Sequence, residues 1–441
     1  MRMAGRPAEQ TGPSAFDQLD PPDTEIYLDC VHCGFCLPTC PTYLVLGNEM
    51  DSPRGRIYLI RAATEGKISL SDNFAQHMNL CLLCRACETA CPSGVKFGFL
   101  MEAARGQVER HHQYSPADRR FRGLILHTFT DLGRLRVISG LLRFYQRSGL
   151  QKLIRASGML RALGRLGQME ALTPTIPDSR LRGKLPEILP AKGEKRGRAG
   201  LLTGCVQRFF FSHVNNATAR VLSENGYEVV VPREQGCCGS LLVHEWEREE
   251  AKEKARRTID VFERARVDVV AVNAAGCGSV MKEYWELLHG DPVYAERATA
   301  FSRKVRDVSQ LLAQVPLNGR LRPVKRTVTY HDACHLAHGQ RVRQEPRTIL
   351  KAIPELRVVE LKESDFCCGS AGIYNLLYPE LAQQFLDRKI ECIKETGAEV
   401  VVSGNPGCSM QIEKGLKERG LDIRVLHTVE LLDWSYRGTE R

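Results

Sequence analysis

The sequence predicts an α+β multidomain protein, in which an α-helical domain precedes two α/β domains with parallel sheets. Two regularly spaced cysteine runs near the amino terminus are accompanied by helical patterns. A second arrangement of cysteines then occurs twice, and each copy alternates short β-branched apolar runs with helical patterns, as doubly wound parallel sheets do. At roughly 100–200 residues per domain, a length of 441 residues is sufficient for this organisation.

The composition bears on the location of the chain and on the state of its 17 cysteines. No run combines the roughly 18 residues and the apolar character of a membrane span, and the first residues lack the apolar segment of a secretory signal. We therefore expect a cytoplasmic protein whose cysteines are metal ligands or redox groups rather than disulfides. Residues 1–24, with several Pro, Gly and acidic residues, are expected to form a disordered tail.

The net charge of +10 is concentrated in one part of the chain, since residues 101–200 carry 20 basic and 8 acidic side chains. The pattern at 111–198 predicts a basic helical connector, which continues from about residue 172 as a linker rich in Pro, Lys and Arg. Its apolar face is expected to pack on its neighbours or, alternatively, to contact a partner subunit or the inner face of the cytoplasmic membrane. Nucleic-acid binding is not expected, because aromatic interleaving and known DNA-binding spacings are missing from this segment.

The helical domain, expected at 25–110, contains two runs of the form C-x-x-C-x-x-C-x-x-x-C-P, with a helix predicted at 54–65 between them. This spacing is typical of bacterial ferredoxins with two [4Fe–4S] clusters, in which the fourth cysteine of each run binds the other cluster. A zinc site would instead use paired C-x-x-C knuckles, without a role for the third and fourth thiols. The expected ligands are Cys30, Cys33, Cys36 and Cys91 for the first cluster, and Cys81, Cys84, Cys87 and Cys40 for the second.

The remainder of the chain is duplicated. Corresponding cysteines are separated by 129, 130 and 131 residues: Cys205, Cys237, Cys238 and Cys277 in the first copy, and Cys334, Cys367, Cys368 and Cys408 in the second. We expect the two domains at 199–322 and 323–441. Predicted strands lie at 199–205, 228–231 and 268–273 in the first copy, and at 327–330, 357–361 and 399–402 in the second. Each cysteine group follows a strand, so the thiols are expected at the carboxyl edges of two sheets that face each other.

The chemistry of these repeated thiols is open at this stage. Each set is able to hold an additional iron–sulfur cluster, to act as a dithiol redox site, or simply to shape a turn. His331 and His335 flank Cys334, where either imidazole is expected to donate a hydrogen bond to a thiolate or to belong to an ordinary turn. Arg54 and Arg56, at the start of the predicted helix, are expected to be solvated or to contact a partner.

Paired cysteines followed by glycine identify the duplicated part as CCG domains. Residues 200–440 resemble the paired cysteine-rich domains of heterodisulfide reductase, anaerobic glycerol-3-phosphate dehydrogenase and the glycolate oxidase iron–sulfur subunit. Over residues 25–435 the chain most closely resembles the last of these families. The stretches that carry the resemblance are CVHCGFC at 30–36, DSPRGRIY at 51–58, ATARVL at 217–222 and CCGSAG at 367–372. The CCG pattern often ends in C-x-x-C, whereas Val280 and Gln411 occupy the position of that fifth thiol here.

The resemblance implies an iron–sulfur electron-transfer subunit of a flavin-dependent glycolate dehydrogenase, which oxidises glycolate to glyoxylate. Such a subunit accepts electrons from FAD-containing partner subunits and passes them towards the quinone pool. It implies two [4Fe–4S] clusters and leaves open one or two more in the CCG domains. No dinucleotide, phosphate-loop or nucleophile-elbow motif occurs in the sequence, so we expect no substrate-oxidising site and no catalytic residue on this chain.

Other functions remain open at the level of sequence. The chain is also compatible with the iron–sulfur subunit of a related lactate or glycerol-3-phosphate dehydrogenase. A thiol–disulfide reductase resembling heterodisulfide reductase is a further alternative, although the missing fifth thiols argue against it and against five-thiolate noncubane clusters. A cluster-containing sensor that binds nucleic acid would leave the duplicated domains without a clear role.

Overall fold

The computed structural model describes residues 13–162, 164–176 and 185–440, which belong to two compact units. The first unit comprises residues up to 121 together with 244–246, and the second comprises 122–243 and 247 onwards. Half of the predicted tail, residues 1–12, and part of the predicted linker, residues 177–184, lie outside the described residues.

The first unit is helical, as predicted, and short loops that contain the cysteine runs separate its helices. These helices are α1 Thr24–Leu28, α2 Pro41–Leu46, α3 Pro53–Thr64, α4 Asp72–Asn79, α5 Ala86–Ala90, α6 Phe97–His111 and, crossing the limit of the unit, α7 Pro116–Thr130, with a 3-10 helix at Glu49–Asp51. Helix α3 confirms the helix predicted between the runs. Its start is determined locally, since the Ser52 side chain accepts a hydrogen bond from the Gly55 amide and proline occupies the first helical position.

The prediction of disorder is wrong for the end of the tail. Phe16 is buried in the core of the first unit, where its ring centroid lies 6.0 Å from that of Phe74. The Asp17 carboxylate accepts hydrogen bonds from Arg110 at 2.8 and 2.9 Å, and the Asp17 amide donates to Gln107. The ring contact with Phe74 attaches this segment to helix α4, and the ion pair with Arg110 attaches it to helix α6. Composition alone does not reveal either contact.

Among its described residues in the second unit, the basic segment forms four helices after α7, in agreement with the predicted helical pattern. They are α8 Leu132–Arg147, α9 Leu150–Ala156, α10 Met159–Ala162 and α11 Arg165–Ala171. Leu135 of α8 is fully buried and belongs to an apolar cluster with Phe210, Cys205 and Cys237. The connector thus covers part of the first repeat, and its burial excludes water from two of the repeated thiols.

The two repeats each contain a sheet. Strands β1 Ile188–Leu189, β2 Gly197–Leu201, β3 Tyr227–Val230, β4 Val269–Val272 and β5 Val305–Asp307 form the first sheet, and β6 Thr327–His331, β7 Arg357–Val359, β8 Val400–Ser403 and β9 Arg424–Leu426 form the second. Their orders are β1-β3-β2-β4-β5 and β7-β6-β8-β9. All pairings are parallel except that of β1 with β3, so the predicted parallel sheets are confirmed. The antiparallel edge strand β1 lies in the predicted linker and is an addition to the prediction.

Helices cover both sheets. In the first repeat they are α12 Val206–Phe210, α13 Ser212–Glu224, α14 Ser240–His244, α15 Arg248–Arg264, α16 Ala275–Lys282, α17 Tyr284–Leu287, α18 Ala295–Lys304 and α19 Val308–Ala313. In the second they are a π-helical turn at His335–Gly339, α20 Gln344–Ala352, α21 Tyr374–Leu377, α22 Pro379–Glu395, α23 Pro406–Glu418 and α24 Thr428–Arg437. This alternation of strands and helices places the loops that contain cysteine at the carboxyl ends of the central strands.

The two repeats share one apolar core, in which residues of both sheets and of helices such as α13 and α24 are buried together. Their carboxyl edges adjoin, because the Ala275 amide, after β4, donates to the Gly404 carbonyl, after β8, at 3.0 Å. A further contact between the repeats joins helices α13 and α24, where Arg220 donates two hydrogen bonds to the Asp433 carboxylate at 2.7 and 2.8 Å. The repeats therefore face each other, and their thiol sets lie on the adjoining edges.

A buried carboxyl lies in the interface between the repeats. Glu430, in the first turn of α24, accepts a hydrogen bond from the His427 amide at 2.8 Å, and its carboxyl oxygen lies 3.4 Å from His213 Nε2. Burial raises the pKa of Glu430 to about 7 and lowers the pKa of both histidines to about 4. The interface is therefore built for neutral side chains near pH 6.

We predict that Glu430→Gln removes one component of the pH dependence of stability, the loss that Glu430 causes as the pH rises; His213 and His427 contribute in the opposite direction in both proteins. The folded-state pKa of Glu430 lies above its ordinary value of 4.5, so its contribution is present below pH 4.5 and is lost as the pH rises through 7. Between pH 5 and 8 the wild type should lose up to about 3 kcal/mol relative to the variant. Urea unfolding at several pH values measures this difference, and exposed Glu395→Gln is the control. Parallel pH curves for the wild type and Glu430→Gln would contradict the prediction.

Candidate metal centres

The two amino-terminal cysteine runs share one backbone winding. In each run the residues on both sides of the second cysteine have positive φ: His32 (52°) and Gly34 (86°) around Cys33, and Leu83 (50°) and Arg85 (62°) around Cys84. For residues other than glycine this conformation costs about 1 kcal/mol or more, so it persists only where the surroundings require it. The repeated winding at identical positions indicates that the thiols, not the side chains between them, determine these loops.

Two cavities lie beside these loops within the first unit. Cysteines that line the first cavity are Cys30, Cys33, Cys36, Cys87 and Cys91, and those that line the second are Cys40, Cys81, Cys84 and Cys87. Cys91 of the second run thus lies with the first run, and Cys40 of the first run lies with the second. Apart from Cys87, which borders both cavities, the grouping agrees with the crossed ligand sets. The crossed assignment itself remains a prediction.

The electrostatics of these thiols favour a bound metal. Burial raises the pKa of Cys36 to about 11 and raises that of Cys87 well above its usual value, with neighbouring thiols contributing in the same direction. Without a cation the buried thiols remain protonated, whereas a metal stabilises the thiolates and releases the protons. Two cavities, lined by five and by four cysteines with Cys87 common to both, therefore fit iron–sulfur clusters.

Arg56 contributes to this site in a way that the sequence did not indicate. The expectation of a solvated side chain is wrong, because Arg56 is completely buried. It donates to Thr42 Oγ1 at 3.1 Å and to the Asp51 carbonyl, and Thr42 Oγ1 lies 3.2 Å from Cys40 Sγ. The position of Arg56 four residues before Ile60 could have predicted this burial, because it places both residues on the buried face of α3.

The neighbouring polar residues support the loops and not the thiols directly. Arg54 donates to Glu49 at 2.6 Å and to the His32 carbonyl at 3.2 Å, which fixes the first loop. The His77 ring lies with Nδ1 2.9 Å from the Asp51 carboxylate. These contacts make both residues part of the structural frame around the cavities.

The glycine after each cysteine pair is required by the backbone. Gly239 and Gly369 have φ of 81° and 84°, a region that residues with a side chain rarely adopt. A Cβ on Gly369 would also lie 2.6 Å from the Ala382 carbonyl oxygen, at the start of α22. The turn therefore directs two adjacent thiols towards the carboxyl edge while the chain passes close to a helix.

The four thiols of the first repeat form a continuous series of contacts. Cys205 Sγ lies 3.7 Å from Cys237 Sγ, and further contacts join Cys237 to Cys238 and Cys238 to Cys277. The bond with Cys237, together with burial, raises the pKa of Cys205 well above its usual value. For Cys237 the bond to Cys205 lowers the pKa, but the bond to Cys238 and burial outweigh it and raise the pKa to about 12. Cys205, Cys237 and Cys238 are therefore protonated without a cation.

The second repeat has a different electrostatic environment. Its thiols form the corresponding series Cys334, Cys367, Cys368 and Cys408. The pKa of Cys334 is lowered by the bond from Cys367 and by His335, whose Nδ1 lies 3.4 Å away. The pKa of Cys368 is lowered by bonds from Cys367 and Cys408, with His331 acting in the same direction. The same bonds raise the pKa of Cys367 and Cys408 well above the usual value, so this set combines two sulfurs that favour the anionic form with two that favour the protonated form.

Cys392, outside these sets, is buried among apolar residues such as Ile390 and Ile412, in agreement with the absence of a partner cysteine for it in the repeat pattern.

Comparison with known proteins agrees with this architecture. The model of the 4Fe-4S dicluster domain matches residues 26–95, and that of the cysteine-rich CCG domain matches 199–282 and 328–413. A model described as the linker region of the glycolate oxidase iron–sulfur subunit matches 117–173. The chain is 41% identical to the probable glycolate oxidase iron–sulfur subunit of Bacillus subtilis over 412 residues, which covers 92% of this chain and 93% of that protein. The chain belongs to the glycolate oxidase iron–sulfur subunit family.

Two further relatives define the breadth of the similarity. The glycolate oxidase iron–sulfur subunit of Escherichia coli is 34% identical and is covered to 93% of its length, with 92% of this chain matched. Lactate utilization protein A of Halalkalibacterium halodurans is 30% identical over 244 residues, which amount to 55% of this chain and 99% of that protein. Membership of the glycolate oxidase iron–sulfur subunit family confirms the resemblance and makes iron–sulfur clusters the cofactor class of this chain.

The linker that characterises the glycolate oxidase iron–sulfur subunit family corresponds to helices α7 to α11 and to the basic segment of the sequence. Within the described residues, no helix is both long and apolar enough to cross a membrane.

We predict that double replacements reveal the crossed ligands. Cys40→Ala and Cys84→Ala should each remove the same cluster, so their combination should lose no more iron than either alone. Cys33→Ala combined with Cys84→Ala should lose both amino-terminal clusters, because these cysteines belong to different sets. Iron and sulfide analysis of anaerobically purified protein measures the losses, with Cys392→Ala as the control. Loss of both clusters in the Cys40→Ala, Cys84→Ala variant would contradict crossed ligation.

Proposed function

We propose that this chain is the iron–sulfur electron-transfer subunit of a flavin-dependent glycolate dehydrogenase. Glycolate loses two electrons and two protons to FAD on a partner subunit and becomes glyoxylate, and a quinone takes up two electrons and two protons to become the quinol. Iron–sulfur clusters supply one-electron transfer between these two-electron reactions. The observation that carries the proposal is similarity over nearly the full length of glycolate oxidase iron–sulfur subunits, together with two thiol-lined cavities in one domain.

The rim of the first cavity is suited to electron exchange with a partner protein. Cys33 is exposed, whereas the thiols of the second cavity are buried or half-buried. Exposed apolar side chains occur in the same loop and on α3: Val31, Phe35 and Tyr58 are more than half exposed. Apolar and aromatic side chains of this kind form the centres of protein interfaces. We assign this face to the flavoprotein subunit, since transfer requires a donor close to the cluster.

Disulfide reduction is less well supported. The four thiols of the second repeat and three of those in the first are buried, and only Cys277 is half-buried. A dithiol that attacks a disulfide substrate has to be accessible. In addition, Val280 and Gln411 stand where a fifth thiol would complete the pattern of heterodisulfide reductase.

The identity of the substrate that the complex oxidises is tested with isolated membranes. Membranes from cells with and without this chain are compared for reduction of a quinone analogue by glycolate, D-lactate and glycerol 3-phosphate. If only glycolate-dependent reduction is lost, the proposed substrate is supported. If only lactate-dependent or glycerol-3-phosphate-dependent reduction is lost, the chain is a subunit of a related dehydrogenase. The lactate arm is included because a lactate utilization protein matches more than half of this chain. If reduction of the quinone analogue is unchanged with all three substrates, the proposal that this chain carries electrons to quinone is refuted.

We predict that Cys84→Ser interrupts the path after the flavin. Reduction of the quinone analogue by glycolate should fall at least about tenfold, which corresponds to about 1.4 kcal/mol of effective barrier. Glycolate-dependent bleaching of the flavin in the assembled complex should be retained, because substrate oxidation occurs on the partner. Cys392→Ala is the control and should leave both measurements unchanged. Full quinone reduction in Cys84→Ser would show that the second cavity is not part of the path.

The connector presents a surface suited to a membrane containing the quinone. Val137, Leu141 and Phe144 of α8 are 62%, 64% and 69% exposed and lie on one face of the helix, and Leu153 of α9 is 67% exposed. The buried residue Leu135 lies on the opposite face. Helices α8 and α9 contain no acidic residue. The exposed stripe is flanked by basic residues, which are Arg134, Arg136, Arg143, Arg147, Lys152 and Arg155. An apolar stripe with basic flanks matches the interface of an anionic lipid bilayer.

We predict that the double replacement Leu141→Glu, Phe144→Glu abolishes attachment to anionic vesicles. Each apolar side chain that enters the interface contributes about 1.5–3 kcal/mol of binding free energy. The ratio of vesicle-bound to free protein should therefore fall more than tenfold in the double variant. Co-sedimentation with phosphatidylglycerol vesicles measures it, with phosphatidylcholine vesicles and the exposed replacement Val293→Glu as controls. Equal sedimentation of the double variant and the wild type would assign this stripe to a protein partner instead.

A further inference from the structure

His331 is the last residue of β6 and is only 1% exposed. One of its ring nitrogens, Cys368 Sγ and Cys408 Sγ all lie within 4.8 Å of one another. Within the part of the chain that the structure describes, neither ring nitrogen has a nitrogen or oxygen partner, and the polar group with which the imidazole interacts is the Cys368 thiol. A thiol is a weak hydrogen-bond partner for a buried imidazole, and buried polar side chains of native proteins nearly always have a ligand or a full hydrogen bond. The environment of His331 therefore indicates that something absent from the chain itself binds there.

The hydroxyl of Ser403 adds to this observation. Ser403 is paired with His331 across β6 and β8, is 1% exposed, and likewise has no hydrogen-bond partner among the described residues. Two unsatisfied polar side chains thus lie at the carboxyl ends of adjacent strands, at the edge where the second-repeat thiols converge.

The first repeat serves as an internal comparison. With Cys205 aligned on Cys334, the position of His331 is occupied by Leu202, which is 2% exposed and packs in an apolar cluster that includes Cys238. The fold thus places a side chain at this point against the cysteine pair in both repeats. Only the second repeat uses a residue with a metal-binding atom at that point.

The position of the missing fifth thiol is not available to a metal. Gln411 is buried, and its carbonyl oxygen accepts a hydrogen bond from Asn375 at 2.9 Å. Asn405 donates to Cys408 Sγ at 3.5 Å, and His335 lies against Cys334 at the other end of the set. Among these neighbours, His331 is the side chain that lies near two thiols of the set and has no nitrogen or oxygen partner for its ring.

We propose that His331 binds, through a ring nitrogen, a metal centre that the second repeat holds with Cys334, Cys367, Cys368 and Cys408. The donor set is four sulfurs and one nitrogen, and it differs from the all-sulfur set of the first repeat. Sulfur and imidazole donors suit iron–sulfur centres and zinc, and a neutral imidazole in place of a thiolate favours a higher reduction potential. The inference rests on the part of the proposed function that assigns electron transfer to metal centres of this chain.

The experiment uses the full chain, purified anaerobically, with variants in the second repeat. Cys408→Ala defines the contribution of this centre as the difference in iron, zinc and sulfide from the wild type. His331→Ala should lose most of the same metal, while His331→Cys should recover it, because a thiolate is able to take the vacant ligand position. His335→Ala is the matched control, since it removes the neighbouring imidazole and should retain the metal. Circular dichroism establishes that each variant is folded.

A spectroscopic measurement separates ligation from a hydrogen bond to sulfur. Pulsed electron paramagnetic resonance on protein with ¹⁵N-labelled histidine should detect a nitrogen coupled to the iron centre that is absent from Cys408→Ala and His331→Cys. If metal analysis identifies zinc, X-ray absorption at the zinc edge should show a nitrogen neighbour that His331→Cys replaces by sulfur. Retention of the nitrogen signal in His331→Cys, or its loss in His335→Ala alone, would overturn the assignment.

The failure of this inference is distinguishable from failure of the relay. If Cys408→Ala and His331→Ala contain as much metal as the wild type, the second repeat holds no such centre and the inference is refuted. Glycolate-dependent quinone reduction, measured on the same variants in the assembled complex, tests the proposed function independently. A relay through the amino-terminal cavities then remains active in both variants.

Discussion

A thiolate that is removed from water needs a cation close to it, and this requirement organises the structure. Sixteen cysteines are gathered into four groups, most of them buried, and burial without metal raises the pKa of several well above the usual value. The backbone has positive φ on both sides of Cys33 and Cys84 and at the glycine after each cysteine pair. This conformation costs free energy locally, and it allows the sulfurs to converge. Arg56, buried beside Thr42, and Leu135, buried beside Cys205, then support and cover the sulfurs. Metal affinity compensates these costs, so folding and metal binding are expected to be coupled.

Duplication shows how one backbone accommodates two environments. Both repeats place their central strands, their cysteine pair and the glycine with positive φ in corresponding positions. The residues around the two thiol sets differ, since Leu202 in the first repeat corresponds to His331 in the second. In addition, two thiols of the second set have a lowered pKa. A parallel sheet tolerates this divergence, since residues at strand ends change without disturbing the hydrogen bonds between strands. The shared apolar core keeps the two edges together while each edge acquires its own chemistry.

Helical and strand periodicity in the sequence were sufficient for much of this architecture. The helix at 54–65, the helical connector and the parallel strands after residue 199 were predicted because apolar periodicity is a local property. The nearly constant offsets between corresponding cysteines predicted the duplication. The ferredoxin spacing of the two amino-terminal runs predicted crossed ligation, which stays a prediction. Antiparallel strand β1 was not predicted, because its two residues gain their structure only by pairing with β3.

The sequence alone therefore determined the class of cofactor, the number of cysteine groups and the order of the domains, since these depend on residue type and spacing along the chain. The three-dimensional arrangement was needed for Phe16 and Asp17, which leave the predicted tail for the core, and for Arg56, whose partners lie in other segments. It was also needed to distinguish His331 from His335, which look equivalent beside Cys334. Burial, proximity and unsatisfied hydrogen bonds arise between residues distant in sequence, and so they become visible only after the chain has folded.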